Sequence, residues 1–259
     1  MAEDSRNTIN SIDERAICYF VLCRELLEKT KLLFGNLSNL SDRDFYKEAV
    51  NIVKIMYNEV SVNPKIIVYL KIFNNEISGV NDCVYSHFLS VGMLAVGFSD
   101  YLGFSKKAIL EIGLAGYLHD IGKLKIPSSI LKKEDRLSNR EIEVIRRHPE
   151  LGFYLLKENN LIPYNSKRVI LEHHERLDSS GYPKGLAEEN ICMESKIISI
   201  IDIFDAITSI RHYSKKKSVG KAINELILVS GKEVSRRHTI DFCRYLIKTF
   251  PKETYIEGI

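Results

Sequence analysis

The residues with the clearest chemical potential lie in the stretch Tyr117-Leu118-His119-Asp120-Ile121-Gly122-Lys123. It joins an imidazole directly to a carboxylate and places a lysine one turn later. The preceding apolar residues Ile109, Ile112 and Ala115 recur at helical spacings of three and four, and the same spacing continues to His119. His119 is therefore predicted to face the core. A lone buried pair of this kind is usually a satisfied structural contact, so a metal site requires further ligands elsewhere in the chain.

Further candidate ligands are present. Five of the seven histidines fall on predicted core-facing helical stripes or at their ends: His87, His119, His148, His173 and His174. Asp202 and Asp205 lie three residues apart in the most apolar segment and share one helix face. Buried carboxylates without partners cost several kcal/mol, so cations or strong donors are expected nearby.

Each of these residues also has a structural explanation when it is taken alone. His87 could be a hydrogen-bonded core histidine, and His148 could be a helix C-terminal residue favoured by the macrodipole. One member of the pair His173-His174 could face solvent, because helix neighbours diverge by about 100°. Taken together, the residues favour a metal site. Imidazole and carboxylate without thiolate suit a divalent or di-iron type site better than a structural zinc site.

The elements that must position these residues are all predicted to be helices. Helical patterns cover 12–35, a segment starting at Ser41, 66–73, 82–102, a segment from Ser105 to His119, a segment from the capping box at Ser138 to His148, a segment from Pro149 through Leu156, a segment capped by Ser166, 191–210, 217–229 and 236–249. Residues 177–190 read as a loop. The predicted fold class is all-α.

Composition and charge restrict the class of protein. The chain has 259 residues and a net charge of +3, which is too small to indicate a nucleic-acid polymer as partner. Its five cysteines contain no C-x-x-C pair and read as reduced thiols. No signal peptide is apparent, and no stretch approaches the roughly 18 apolar residues of a membrane span. A cytoplasmic protein is expected.

The motifs HD-x-G-K, HHE and GYP occur in this order, the last within Asp178-Ser-Ser-Gly181-Tyr182-Pro183, and Asp202-x-x-Asp205 follows. Their order and spacing resemble the HD-GYP subfamily of the HD-superfamily phosphohydrolases across roughly residues 80–250. The resemblance implies a helical bundle around a two- or three-metal centre. It also implies hydrolysis of cyclic di-GMP to linear pGpG, and in the family often on to GMP.

The resemblance assigns metal ligation to His87, His119, Asp120, His148, His173, His174 and Asp202. Asp120 would bridge two metals, since each of its oxygens can reach one. Lys123 would act in catalysis beside Asp120, by donating to the phosphoryl group or to the leaving oxygen. Asp205 would orient a ligand or Lys123. The residues expected to lie toward the substrate are Gly181, Tyr182, Pro183 and Arg211.

Three positions depart from the family pattern. Cys83 stands where trinuclear members have glutamate, so two ions, iron or manganese, are expected rather than three. Ser179 stands where glycine is usual, and it would add strain if the backbone needs a positive φ. Ser214 replaces a second phosphate-holding cation, which leaves substrate affinity and the second cleavage step open.

The predicted organisation is an N-terminal helical region at 1–75, of unknown role, followed by an HD-GYP phosphodiesterase domain at 76–259. Two alternatives to cyclic di-GMP hydrolysis remain open at this stage. One is an inactive signalling protein that binds a cyclic dinucleotide, and the other is a phosphohydrolase acting on another nucleotide. Protein partners could contact the loop at residues 177–190 that contains the GYP motif, called the GYP loop, or the N-terminal region. Homo-oligomer formation is left open.

Overall fold

A computed structural model of the chain describes residues 14–76, 83–209 and 217–251. The α-helices in these ranges are α1 (Glu14–Gly35), α2 (Asp42–Val62), α3 (Ile66–Glu76), α4 (Cys83–Tyr101), α5 (Lys106–Leu118), α6 (Ser128–Leu131), α7 (Asn139–Arg146), α8 (His148–Leu156), α9 (Tyr164–Glu172), α10 (Met193–Thr208), α11 (Val219–Val229) and α12 (Arg236–Thr249). Short 3-10 helices cover Ile121–Lys125 and Glu188–Asn190. The described ranges contain two isolated β-bridges and no strand, which confirms the predicted all-α class.

Serine caps begin several of these helices, as the sequence predicts. The Ser41 hydroxyl accepts a hydrogen bond from the Asp44 amide at 3.1 Å, and the predicted capping box at Ser138 is complete. The predicted cap at Ser166 is wrong. Helix α9 begins three residues earlier, after Pro163, whose fixed φ is compatible with a helix start, and the Ser166 hydroxyl instead donates to the Glu111 carbonyl at 3.4 Å.

One hydrophobic core includes residues from both ends of the described chain, from Cys23 to Phe250. The N-terminal helices contribute directly to it. The ring of Phe34 in α1 lies 4.9 Å from that of Phe88 in α4 and 5.3 Å from that of Tyr117 in α5. Helices α1–α3 therefore pack on the helices that carry the candidate ligands. The domain boundary between residues 75 and 76 stays a prediction.

Helix α4 is buried on all sides from Ser86 to Ser99 and packs against α5. Helices α8, α9 and α10 complete the walls around the end of α5, where His119 is the C-cap. This arrangement brings one end each of α5, α8 and α9 close to residues within α4 and α10. None of the helices in the described ranges has the length and apolar character needed to cross a membrane.

Candidate metal centre

Seven buried or half-buried side chains, all among the predicted ligands, form two adjacent clusters. The ligand atoms within each cluster lie within 4.8 Å of one another. The first cluster contains Asp120, His148, His173 and His174. The second cluster contains His87, His119 and Asp202. We call these cluster A and cluster B.

Helix ends explain why distant residues meet here. His119 is the C-cap of α5, His148 is the first residue of α8, and His173 is the C-cap of α9. Because α9 ends at Glu172, His174 lies beyond the helix and is not turned away by the helical rotation. Its ring centroid is 4.2 Å from that of His173, and both histidines belong to cluster A.

The position of His148 differs from the predicted one. The capping-box helix ends at Arg146, so His148 begins a new helix and does not terminate the old one. Favourable interaction with a helix C-terminus therefore does not explain this histidine. Gly122 allows the close approach, because a Cβ on Gly122 would overlap the His148 carbonyl oxygen and the Gly152 amide.

The carboxylate of Asp120 lies between the two clusters. Its Oδ1 is 3.0 Å from His148 Nε2 and 3.6 Å from His173 Nε2. Its Oδ2 is 3.2 Å from His87 Nε2 and 3.4 Å from His119 Nε2. Each oxygen thus faces the imidazole nitrogens of a different cluster, as a bridging ligand would.

Hydrogen bonds to backbone carbonyls determine the tautomers of three histidines. Nδ1 of His119 lies 2.7 Å from the Gly116 oxygen, and Nδ1 of His148 lies 2.7 Å from the Ile145 oxygen. Nδ1 of His173 is 3.1 Å from two carbonyl oxygens of α9. A carbonyl oxygen can only accept, so Nδ1 carries the hydrogen in each case and Nε2 presents a lone pair to the clusters.

Several of these inward-facing atoms have no hydrogen-bond partner. They are His87 Nε2, His119 Nε2 and Asp120 Oδ1, all fully buried. His148 Nε2 and His173 Nε2 lie 3.1 Å apart with both Nδ1 hydrogens already used elsewhere. The lone pairs of His148 Nε2, His173 Nε2 and Asp120 Oδ1 converge in a buried space, which is unfavourable without a cation. The residues therefore fit divalent metal ions.

Ionisable groups of opposite charge shift the pKa values of His87 and Asp120. Burial lowers the pKa of His87, but the carboxylates of Asp120, Asp202 and Asp205 outweigh burial and raise that pKa to about 10. Burial raises the pKa of Asp120, but Lys123 and the neighbouring histidines outweigh it and hold that pKa well below its usual value.

His173 and His174 of cluster A have lowered pKa values. Burial, followed by the neighbouring histidines, lowers the pKa of His174, and burial lowers the pKa of His173 to about 4. Both are therefore neutral near pH 7, which is the form that ligates a metal.

Lys123 and Asp205 contact different partners. The Lys123 ammonium forms an ion pair with Asp120 Oδ2. Asp205 Oδ2 accepts from His87 Nδ1 at 2.7 Å, so Asp205 contacts a candidate ligand and not Lys123. It also accepts from Lys71 Nζ at 2.6 Å, a contact that the sequence analysis missed. The signal available for Lys71 was a single charge within the apolar run of α3.

The GYP loop covers cluster A. The Tyr182 ring stacks on that of His174 with 4.7 Å between centroids, and the Arg146 guanidinium lies 5.0 Å from the Tyr182 centroid on the ring face. Gly181 passes so close to the backbone of Glu175 and Arg176 that a Cβ would overlap it.

Other loop residues have clear structural contacts. Pro183 follows a cis peptide bond, and Ser179 has a φ of 63°, in the left-handed region that favours glycine. The buried Glu175 carboxylate accepts from the backbone amides of Lys184 and Leu186 at 2.7 and 2.9 Å. Glu175 was not assigned a role from the sequence, although its position in the HHE triplet was the available signal. It ties the loop to the segment that carries His174.

Three predictions lie outside the described residues. Arg211 and Ser214 fall between residues 209 and 217, and the structure does not describe the side chain of Cys83. The substrate role of Arg211 and the effects of Ser214 and Cys83 therefore stay predictions.

Comparison with known proteins identifies one matching family and several similar phosphodiesterases. Residues 71–234 match the HD domain family. A cyclic di-GMP phosphodiesterase from Pseudomonas aeruginosa is 37% identical over 146 residues, which cover 56% of this chain and 35% of the relative. A cyclic di-GMP phosphodiesterase from Thermotoga maritima is 38% identical over 149 residues, covering 57% of this chain and 40% of the relative.

Two further matches extend over more of the chain. A 3'3'-cGAMP-specific phosphodiesterase from Vibrio cholerae is 30% identical over 190 residues, covering 72% of this chain and 40% of the relative. The chain thus spans less than half the length of these curated relatives. The structure of an HDG"Y"P protein from Bdellovibrio bacteriovorus superposes with a TM-score of 0.73 at 16% identity, covering 92% of this chain and 74% of that one. The chain belongs to the HD domain family.

Proposed function

We propose that this chain is a metal-dependent phosphodiesterase that hydrolyses cyclic di-GMP to linear pGpG and, with a second cleavage, to GMP. The observation that carries the proposal is the division of the Asp120 carboxylate, with one oxygen toward the imidazoles of cluster A and the other toward those of cluster B. Such an arrangement suits two adjacent divalent ions. Curated relatives named as cyclic di-GMP phosphodiesterases support the substrate.

The proposed metal content is two ions, iron or manganese. His148, His173 and His174 would hold one ion, His87, His119 and Asp202 the other, and Asp120 would reach both. Imidazole and carboxylate ligands without thiolate are consistent with these metals. A third ion is not part of the proposal, because Cys83 stands at the position of the additional family glutamate.

Hydrolysis of a phosphodiester adds a water oxygen to phosphorus and breaks the bond to a ribose oxygen, which must gain a proton. Bound divalent ions would supply positive charge for the phosphate oxygens and would make a water molecule more acidic. Lys123 would donate a proton to the leaving oxygen or a hydrogen bond to the phosphoryl group. Its side chain is 17% exposed and lies against Asp120, so it is accessible to a ligand at the centre.

The GYP loop would form one wall of the substrate site. Tyr182 offers an aromatic ring beside His174, and Gly181 and Pro183 hold the backbone on either side of it. Arg211 would contact a phosphate. The proposed organisation keeps residues 1–75 as a helical region and 76–259 as the catalytic domain, with protein partners at the GYP loop or the N-terminal helices.

The test is anaerobic purification with metal analysis, followed by chromatographic identification of products from cyclic di-GMP. The wild type should contain two ions per chain and produce pGpG, whereas H119A and D120N should lose turnover. A matched control is H238A, because His238 on α12 belongs to neither cluster and contacts Ser235. Absence of hydrolysis by the metal-loaded wild type would refute the proposal.

The same assay should include 3'3'-cGAMP, because a relative covering 72% of this chain carries that specificity in its name. Cleavage of 3'3'-cGAMP alone would replace the substrate but retain the phosphodiesterase chemistry. Tight binding of a cyclic dinucleotide that stays intact with Mn²⁺ or Fe²⁺ would instead favour a signalling protein without turnover.

A further inference from the structure

Both oxygens of the Asp205 carboxylate accept hydrogen bonds. Oδ1 accepts from Lys71 Nζ at 2.6 Å and from the Ser90 hydroxyl at 2.5 Å. Oδ2 accepts from His87 Nδ1 at 2.7 Å and from the Ser209 hydroxyl at 3.3 Å. Four donors hold this one carboxylate in a single orientation.

The lysine in this set comes from a distant part of the chain. Lys71 lies on α3 and is 134 residues from Asp205 in sequence. Its side chain is 7% exposed and that of Asp205 is 1% exposed. Lys71 Nζ also donates to the Ser209 hydroxyl at 3.0 Å and lies 5.6 Å from the Phe204 ring centroid. The ammonium is therefore directed at the C-terminal end of α10 and not at solvent.

The contact has a consequence for the metal centre. Asp205 fixes the ring orientation of His87 through Nδ1, and His87 Nε2 is the atom that faces cluster B. Hydrogen bonds of this type orient metal-ligating histidines and affect metal affinity. Lys71 supplies the ammonium paired with Asp205, and the other donors to Asp205 are two hydroxyls and the His87 ring. A buried carboxylate that loses its paired cation becomes strongly unfavourable in its original position.

We propose that Lys71 is a positioning residue for cluster B, through which helix α3 holds Asp205 and, by way of Asp205, His87. His148 and His173 of cluster A are oriented instead by carbonyl oxygens of α7 and α9, and His87 faces cluster A through Asp120 Oδ2 at 3.2 Å. Helix α3 thereby contributes to the positioning of a candidate metal ligand. The inference depends on the metal centre of the proposed function and not on its substrate.

The test is equilibrium dialysis of the full chain with Co²⁺, together with the visible absorption spectrum of the bound ion. Loss of a group that orients a metal ligand commonly weakens metal affinity about 10–100-fold, so K71M should weaken the affinity for one Co²⁺ by roughly tenfold or more and leave the other unchanged. K71R retains the positive charge and should recover part of the loss. S90A removes a neutral donor and should have a smaller effect than K71M.

A matched control separates this role from simple packing of the N-terminal helices. Thr30 on α1 accepts a hydrogen bond from Tyr117 at 3.0 Å, and both side chains are buried. T30V should lower thermal stability without changing the Co²⁺ affinities or spectrum. If T30V reproduces the effect of K71M on Co²⁺ binding, Lys71 acts through general stability and the inference is wrong.

A double-mutant comparison tests the route through Asp205. In the D205N background, K71M should cause no further loss of Co²⁺ affinity, because the acceptor on which it acts has been changed. An additive loss, or two wild-type Co²⁺ affinities in K71M, would overturn the inference. If the wild type binds two Co²⁺ ions in this Lys71-dependent way but hydrolyses no cyclic dinucleotide, the proposed function fails and the inference stands.

Discussion

Replacing Glu175 should release the GYP loop from the metal centre. The buried carboxylate accepts from the amides of Lys184 and Leu186, and among the described residues these two amides have no other acceptor. A hydrogen bond to a charged group contributes about 1.5–3 kcal/mol. Because Lys184 is exposed, its amide can bind water after release, so the lower value applies. Loss of both bonds in E175A should destabilise the closed loop by about 3 kcal/mol, which is on the order of a hundredfold in its opening equilibrium.

Amide hydrogen exchange measures this opening without reference to activity. Exchange at the amides of residues 184 and 186 should accelerate about a hundredfold in E175A. E175Q keeps one acceptor oxygen, so an increase on the order of tenfold is expected. E188Q is the matched control, because the Glu188 side chain is 59% exposed and lies 3.7 Å from Lys196. Unchanged protection of both amides in E175A would show that other contacts hold the loop.

Three other outcomes follow from the site. G122A should lower the free energy of unfolding by about 1–3 kcal/mol, because the new Cβ would overlap the His148 carbonyl, and thermal melts should show it. S179G should raise the melting temperature slightly, since Ser179 has a φ of 63° and relief of the left-handed conformation contributes about 1 kcal/mol. Metal-free protein should lose stability as pH rises from about 6.5 toward 10, because the folded-state pKa of His87 is raised to about 10 and its charged form is stabilised below that range. Melts of chelator-treated protein check this, and a flat profile between pH 6.5 and 9 would contradict it.

Local signals were sufficient for most helices. A serine cap and its partner amide are three residues apart, so Ser41, Ser105 and Ser138 could be identified from the sequence. Ser166 was misassigned because a competing signal, Pro163, lies within the same few residues. The sequence also predicted two separate helices around His148, but it placed their boundary between His148 and Pro149, whereas α7 ends at Arg146 and α8 begins at His148.

The sequence by itself determined the all-α class, the candidate ligands and the family, because periodicity, caps and motif spacing are local or ordered along the chain. Only the tertiary structure decided how the ligands divide into two clusters around His119 and Asp120. It also placed Lys71 of α3 on Asp205 and so connected the N-terminal helices with the metal centre. Contacts over 134 residues depend on the packing of whole helices, and residue spacing along the chain carries no signal for them.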